Sequence, residues 1–283
     1  MRSLPRLPPR AVDSNKGDFG RVLLVGGSRG MAGSISLSGM AALRSGAGLV
    51  RLAVPDCVQA TVASFQPAYM TVGLPSDAGG KLAPAAFAQI EVLANEATVL
   101  AIGPGLGQSE SVTAGVGQLY RSLRIPLVID ADGLNALSKQ REILAQPGGP
   151  RVMTPHPGEF ARLLGVEKIA SGEREAAAQQ FARETGVVLV CKGHRTIISD
   201  GAQTVRNETG NPGMATGGTG DVLTGIIAAL LGQKLTPFAA AQLGCHLHGA
   251  AGDLAAGDLG QVSLIASDLL DYLPRAFLGL SGG

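Results

Sequence analysis

A chain of 283 residues suits one large α/β domain or two small ones. Hydrophobic residues make up 45% and aromatics only 4%, with no Trp, so the expected core is Val, Leu, Ile and Ala, as in parallel sheets covered by helices. The formal net charge is +1 and no block of like charge appears, which gives nucleic-acid binding or a polybasic membrane role no support. No apolar run approaches the roughly 18 residues of a membrane span. Cys57, Cys191 and Cys245 lie far apart. They form neither a disulfide framework nor a metal-ligand spacing and suit a reducing cytoplasm, with Cys191 expected to be buried.

Residues 1–12 are rich in Pro and Arg and lack the apolar region of a secretory signal. They read as an extended arm that packs on a neighbouring subunit. Strand patterns follow at 21–25, 49–54, 98–102, 127–130, 151–153 and 187–192. Helical patterns fall between them at 32–45, 84–96, 109–122, 133–138, 158–164 and 174–185. Such alternation predicts a doubly wound, mostly parallel sheet flanked by helices. Two short strands at 196–199 and 204–206 flank Asp200-Gly201, a hairpin signal late in the chain. Two helices are expected last, at 220–231 and 237–256. No repeat or polar linker divides the chain, so a single α/β domain is expected.

Ligands of open parallel sheets bind beyond the C-terminal ends of the strands. Five polar or glycine-rich loops fall there. Gly26-Gly27-Ser28 reads first as a turn, because no Lys-Ser/Thr follows to make a Walker A loop, with an anion cradle as the alternative. Gly103-Pro104-Gly105-Leu106-Gly107 departs from GxGxxG and reads either as a tight turn or as a backbone wall against a flat ligand. In Asp130-Ala131-Asp132-Gly133, Asp132 is the expected N-cap. Asp130 reads first as a loop-holding residue, with contact to a metal or a nucleotide's polar edge as the alternative. Between stiffening prolines, His156 and Glu159 have the spacing of a group that places Mg²⁺ or its water shell and touches substrate; pure capping is the alternative. His156 has no partner cluster for zinc. Lys192-Gly193-His194-Arg195-Thr196 is expected to be cationic and exposed, holding a nucleotide's phosphates or lining its base. His246 and His248 read as packing or interface residues.

The most informative run is Asn211-Pro212-Gly213-Met214-Ala215-Thr216-Gly217-Gly218-Thr219-Gly220-Asp221, which leads into an apolar helical stretch from 222 to 231. Glycines let the backbone approach a ligand, and the first helical turn offers free N–H groups and partial positive charge. Together they make a phosphate site. A carboxylate beside phosphate is electrostatically awkward, and binding alone gains nothing from one. Asp221 therefore reads as a base for phosphoryl transfer to a hydroxyl.

With Lys16-Gly17-Asp18-Phe19-Gly20 and Ala41-Ala42-Leu43-Arg44-Ser45-Gly46-Ala47-Gly48-Leu49-Val50, these motifs, in this order, resemble the ADP/ATP-dependent NAD(P)H-hydrate dehydratases of the ribokinase-like superfamily. The resemblance implies a metabolite repair enzyme that spends ADP, with Mg²⁺, to return (6S)-NADHX or NADPHX to NADH or NADPH, releasing AMP and phosphate. It implies Asp221 as base, Gly218 and Gly220 around the transferring group, and substrate contacts at Ala42, Gly105, His156 and Asp221. Nucleotide contacts would fall on Lys192, Gly193, His194, Arg195, Thr196 and Gly220. Glu159 stands where related kinases carry Asn-x-x-Glu, here with His156 in place of Asn. The resemblance also implies a homotetramer. Only about fifteen residues precede the match, so residues 1–15 are expected to be an arm, residues 16–283 one domain, and the epimerase activity of many relatives a separate chain. The alternative reading is a ribokinase-like kinase of a small vitamin-precursor alcohol.

Overall fold

A computed structural model describes residues 4–281. A nine-stranded sheet runs in the order β3-β2-β1-β4-β5-β6-β7-β8-β9. Its strands are β1 (Arg21–Val25), β2 (Leu49–Pro55), β3 (Met70–Leu74), β4 (Val99–Ile102), β5 (Leu127–Ile129), β6 (Arg151–Met153), β7 (Val188–Cys191), β8 (Ile197–Ser199) and β9 (Thr204–Arg206). All pairings from β3 through β7 are parallel, and β8 and β9 are antiparallel additions at the edge. The α/β, mostly parallel expectation holds, including the late hairpin.

The helices are α1 (Ala32–Arg44), α2 (Asp56–Phe65), α3 (Pro84–Ala94), α4 (Glu110–Ser122), α5 (Ala131–Ser138), α6 (Pro157–Leu164), α7 (Arg174–Thr185), α8 (Thr219–Gly232), α9 (Pro237–Leu259) and α10 (Ala266–Ser281). Alternate strand residues face opposite sides, which makes two cores. Val22 and Leu24 of β1 join α1, α2, α8, α9 and α10 on one face. Leu23 and Val25 join α3 to α7 on the other. Both faces are covered, so the strands read as near-continuous apolar runs.

α8 is buried from 222 to 232 and packs tightly on α1. A Cβ on Gly225 would lie 2.1 Å from the Ser38 carbonyl oxygen, so only glycine lets these helices approach so closely. That contact fixes the N-terminus of α8 against α1. No helix among the described residues is long and apolar enough to cross a membrane.

Three elements were not anticipated. β3 is a half-exposed edge strand containing Gly73, and α2 mixes Val and Thr into a short helix, so neither carries a clear period. α10 carries Pro274 in its interior. The arm touches its own chain: Arg10 donates to the Gly46 carbonyl at 2.9 Å, its guanidinium lies 3.8 Å from the Phe19 ring centre, and Leu7 packs on the core. Leu7 and Arg10 thus engage their own chain; residues 1–3 lie outside the described residues.

Candidate active site

The glycine-rich run is anchored before it reaches α8. The Asn211 amide donates to the Gly252 carbonyl and to Asp253, both at 2.9 Å, which ties the run to α9. Gly218, at φ +92°, supplies the left-handed turn that starts α8. His248 donates from Nε2 to the Thr219 carbonyl at 2.8 Å. Burial holds this imidazole down at about 4, against the pull of that hydrogen bond, so it is neutral at pH 7. The N-terminal N–H groups of α8 are left pointing outward from a rigid support.

Asp221 stands in that first turn. Its backbone carbonyl accepts from the Ser38 hydroxyl at 2.8 Å, and its carboxylate is hydrogen-bonded by Ser34. Burial, reinforced by Asp130, raises the carboxyl to about 6 against the opposing effects of Ser34 and Lys192. A carboxylate in this range is ionised at pH 7 yet basic enough to take a proton.

The cation of the site comes from the end of β7. Lys192 turns its side chain inward, with only 20% of it exposed, and its ammonium lies 2.7 Å from Asp130 Oδ1. The other carboxylate oxygen, Oδ2, accepts from the Thr224 hydroxyl on α8 at 2.8 Å. Burial alone would lower the ammonium, but Asp130 and Glu159 outweigh it and raise it. A Cβ on Gly220 would sit 3.1 Å from Lys192 Nζ, so the ammonium packs directly against the first turn of α8.

His156 and Glu159 form a reciprocal capping box at the start of α6. Glu159 Oε2 accepts from the His156 N–H at 2.8 Å, and His156 Nδ1 accepts from the N–H groups of Gly158 at 3.0 Å and Glu159 at 3.3 Å. Accepting at Nδ1 places the proton of the neutral ring on Nε2. Glu159 is buried, and burial raises its carboxyl, with Lys192 opposing and Asp130 adding. Capping therefore accounts for the local geometry of this pair. Among the described residues, no cluster of three or more His, Cys, Asp or Glu side chains could hold a metal ion.

The five strand-end loops meet at one edge of the sheet, as their positions predicted. Lys192 N–H donates to the Pro155 carbonyl at 2.8 Å, joining two of them. Gly27 N–H donates to the Pro104 carbonyl at 2.9 Å, so the 26–28 segment is a turn that props the 103–107 loop. Gly105, at φ +61°, stands where a Cβ would lie 3.0 Å from the Ser34 Cβ, which brings this loop to the Asp221 side of the cleft.

Gly218, Gly220, Asp221 and Lys192 are thus brought together, with Gly105 and His156 at the rim. Gly193, His194 and Arg195 are exposed, Thr196 is half-buried, and Arg195 pairs with Glu208 at 2.9 Å. Two expectations need correction. Lys192 is not an exposed loop cation, because the Asp130 carboxylate draws it inward. Asp132 is not the N-cap of α5: Asp130 holds that position, and Asp132 instead accepts from Gly107 N–H at 2.9 Å. Ala42 is fully buried in the core one turn beyond Ser38, so it offers no surface to the cleft in this structure. Ser34, Ser38, Thr224 and His248 enter the site unanticipated. The i, i+4 spacing of Ser34 and Ser38 was the available signal for one polar helix face.

A family described as NAD(P)H-hydrate dehydratase matches residues 22–275. The chain belongs to the NAD(P)H-hydrate dehydratase family. It is 50% identical over 279 residues to the bifunctional NAD(P)H-hydrate repair enzyme Nnr of Moorella thermoacetica, covering 97% of this chain and 52% of that one. The Escherichia coli K12 enzyme of the same name is 42% identical, with 95% and 50% covered. The chain spans about half the length of these curated relatives. Among solved structures, the ADP/ATP-dependent NAD(P)H-hydrate dehydratase of Bacillus subtilis, co-crystallised with ATP/Mg²⁺, is similar at TM-score 0.80 and 31% identity, over 96% of this chain and 94% of that one. A hydroxyethylthiazole kinase from Pyrococcus horikoshii, at TM-score 0.62, 17% identity and 92% and 90% coverage, shares the ribokinase-like fold.

Proposed function

We propose that this chain dehydrates (6S)-NADHX and NADPHX to NADH and NADPH at the expense of ADP, releasing AMP and phosphate. The observation that carries the reading is Asp221: a carboxylate raised to about 6, standing among the free N–H groups at the start of α8. Asp221 takes the proton of the C6 hydroxyl, and that oxygen attacks the terminal phosphorus of ADP, with AMP leaving. The Gly218 to Gly220 backbone and the α8 dipole stabilise the charge on the transferring group. The C6–O bond then breaks with its electron pair on phosphate, and loss of a C5 proton restores the double bond of the dihydronicotinamide. Phosphate leaves far more readily than hydroxide, which is why a phosphoryl donor is spent. Gly105 and His156 border the substrate side, and residues 192–196 the nucleotide side.

Asp130, Glu159 and Asp221 all act on the Lys192 ammonium, and with Asp130 already engaged by Lys192 and Thr224 the remaining negative charge of Glu159 and Asp221 suits Mg²⁺. This ion binds through one or two carboxylates, waters and substrate phosphates rather than in an all-protein cage. Glu159 is the residue that would hold it, through water. Mg²⁺ would neutralise charge on the phosphate oxygens. The same reading carries one domain from residue 16 onward, a tetramer, and supply of the S epimer by an epimerase. Light scattering tests the tetramer, and an assay started from the R epimer tests the epimerase.

Absorbance at 340 nm, followed after adding protein to S-configured NADH hydrate with Mg²⁺ and either ADP, ATP or no nucleotide, decides the proposal. A nucleotide-dependent rise names both reaction and donor. A flat trace from folded, nucleotide-binding protein overturns it in favour of the alcohol kinase.

A further inference from the structure

Lys192 carries three N–H donors, and one hydrogen bond, to Asp130, uses one of them among the described residues. An ammonium that is four-fifths buried and under-used in this way is set up for a further acceptor. Its surroundings say where that acceptor sits. Nζ lies against Gly220, where any Cβ would crowd it at 3.1 Å, and the neighbouring backbone offers free N–H groups of the first turn of α8. N–H groups and an ammonium converge there, the donor set that suits an anion.

Asp130 itself cannot reach that anion. Its residue is 1% exposed, and both its oxygens are engaged, one by Lys192 and one by Thr224. Its backbone is equally constrained: Ala131, the next residue, sits at φ +48°, and Gly103 packs so closely that a Cβ there would lie 1.8 Å from the Asp130 carbonyl oxygen. A left-handed alanine is retained only where its surroundings over-determine it.

We propose that Asp130 is a positioning residue: held by Thr224, it aims the Lys192 ammonium at the oxygens of the phosphoryl group in transfer over Gly220. The inference rests on the phosphoryl-transfer reading of α8. It extends to any acceptor, because it concerns the donor's terminal phosphate. A purely structural Asp130–Lys192 pair would affect ADP and AMP alike. A positioning pair acts on ADP alone, since AMP lacks the transferred group.

The test is ADP and AMP affinity by calorimetry with Mg²⁺, together with kcat and KM, for wild type, Asp130→Asn, Thr224→Val and Lys192→Met. Lys192→Met is expected to weaken ADP about tenfold and AMP less than twofold, the scale of one charge-assisted hydrogen bond. Asp130→Asn should follow in the same direction by about threefold or more, with kcat falling by a larger factor than the nucleotide KM rises, and Thr224→Val less. Equal losses for ADP and AMP, or an unchanged ratio in folded Asp130→Asn, overturn the inference. Should Asp130→Asn not fold, the ratio in Thr224→Val and Lys192→Met decides. A wild type inactive on NADH hydrate whose variants still lose ADP selectively overturns the dehydratase reading and supports this one.

Discussion

Two buried cations stand at opposite ends of neighbouring strands, and they are handled in opposite ways. Arg151 opens β6 at the N-terminal edge of the sheet. All five of its N–H donors are used, on the carbonyls of Tyr120, Leu123, Ile125 and Pro150 at 2.6 to 3.2 Å. Among the described residues no carboxylate faces it, and burial lowers its guanidinium to about 10, still charged at pH 7. Lys192 closes β7 at the other edge, with one carboxylate and two donors to spare among the described residues. A saturated cation ties loops together and has nothing left to offer a ligand. An unsaturated one beside a helix N-terminus keeps donors to offer a ligand. Donor accounting separates stability from function more clearly than burial does, since both side chains are largely buried.

The contrast can be broken by substitution, beginning with Asp221, the proposed base. Asp221→Asn should cut turnover by about 10² to 10⁴ while ADP still binds, measured by steady-state kinetics and calorimetry. The same variant should be more stable than wild type at pH 8. The folded carboxyl titrates near 6, above its ordinary 3.8, so its contribution favours folding at low pH and is lost as pH rises through about 6. A variant less stable than wild type at pH 8 would contradict that burial.

At the saturated end, Arg151→Met should lower unfolding free energy by about 3 kcal/mol, because it strips several buried carbonyls of their donor. The urea midpoint should fall while kcat/KM per folded molecule stays unchanged. A loss of kcat/KM comparable to that of Lys192→Met would erase the distinction. Gly220→Ala sharpens it from the active end: the added Cβ crowds Lys192 at 3.1 Å. Turnover should fall roughly tenfold, although alanine suits a helix better than glycine by about 0.5–1 kcal/mol. The smallest effect is on pH dependence. With Asp221 as base, kcat/KM should fall toward acid with a midpoint near 6, because only the ionised carboxylate accepts the proton. A pH-rate profile flat from 5 to 8 would remove Asp221 from that role.

Asp221, Gly218 and Gly220 were legible in the chain because local chemistry announces them: glycines before an apolar helix, ending in a carboxylate. Lys192 was visible as a residue yet misread as an exposed loop cation. Its direction depends on Asp130, 62 positions away, and no local pattern carries that pairing. Thr224 looks like one more position in a buried helix until Asp130 is placed against it. Ala42 is likewise a position whose burial in α1 no local pattern announces.

The sequence by itself determined the alternation of strands and helices, the hairpin, the strand-end loops and the glycine-rich start of α8. Hydrophobic period and turn chemistry act over a few residues and leave their mark there. The tertiary structure alone decided which carboxylate meets the ammonium, how far Asp221 is desolvated, and which buried cation keeps donors free. Those are properties of space between elements, set by the approach of α8 to α1 and to the ends of β5 and β7, and electrostatic energy depends on that separation rather than on position along the chain.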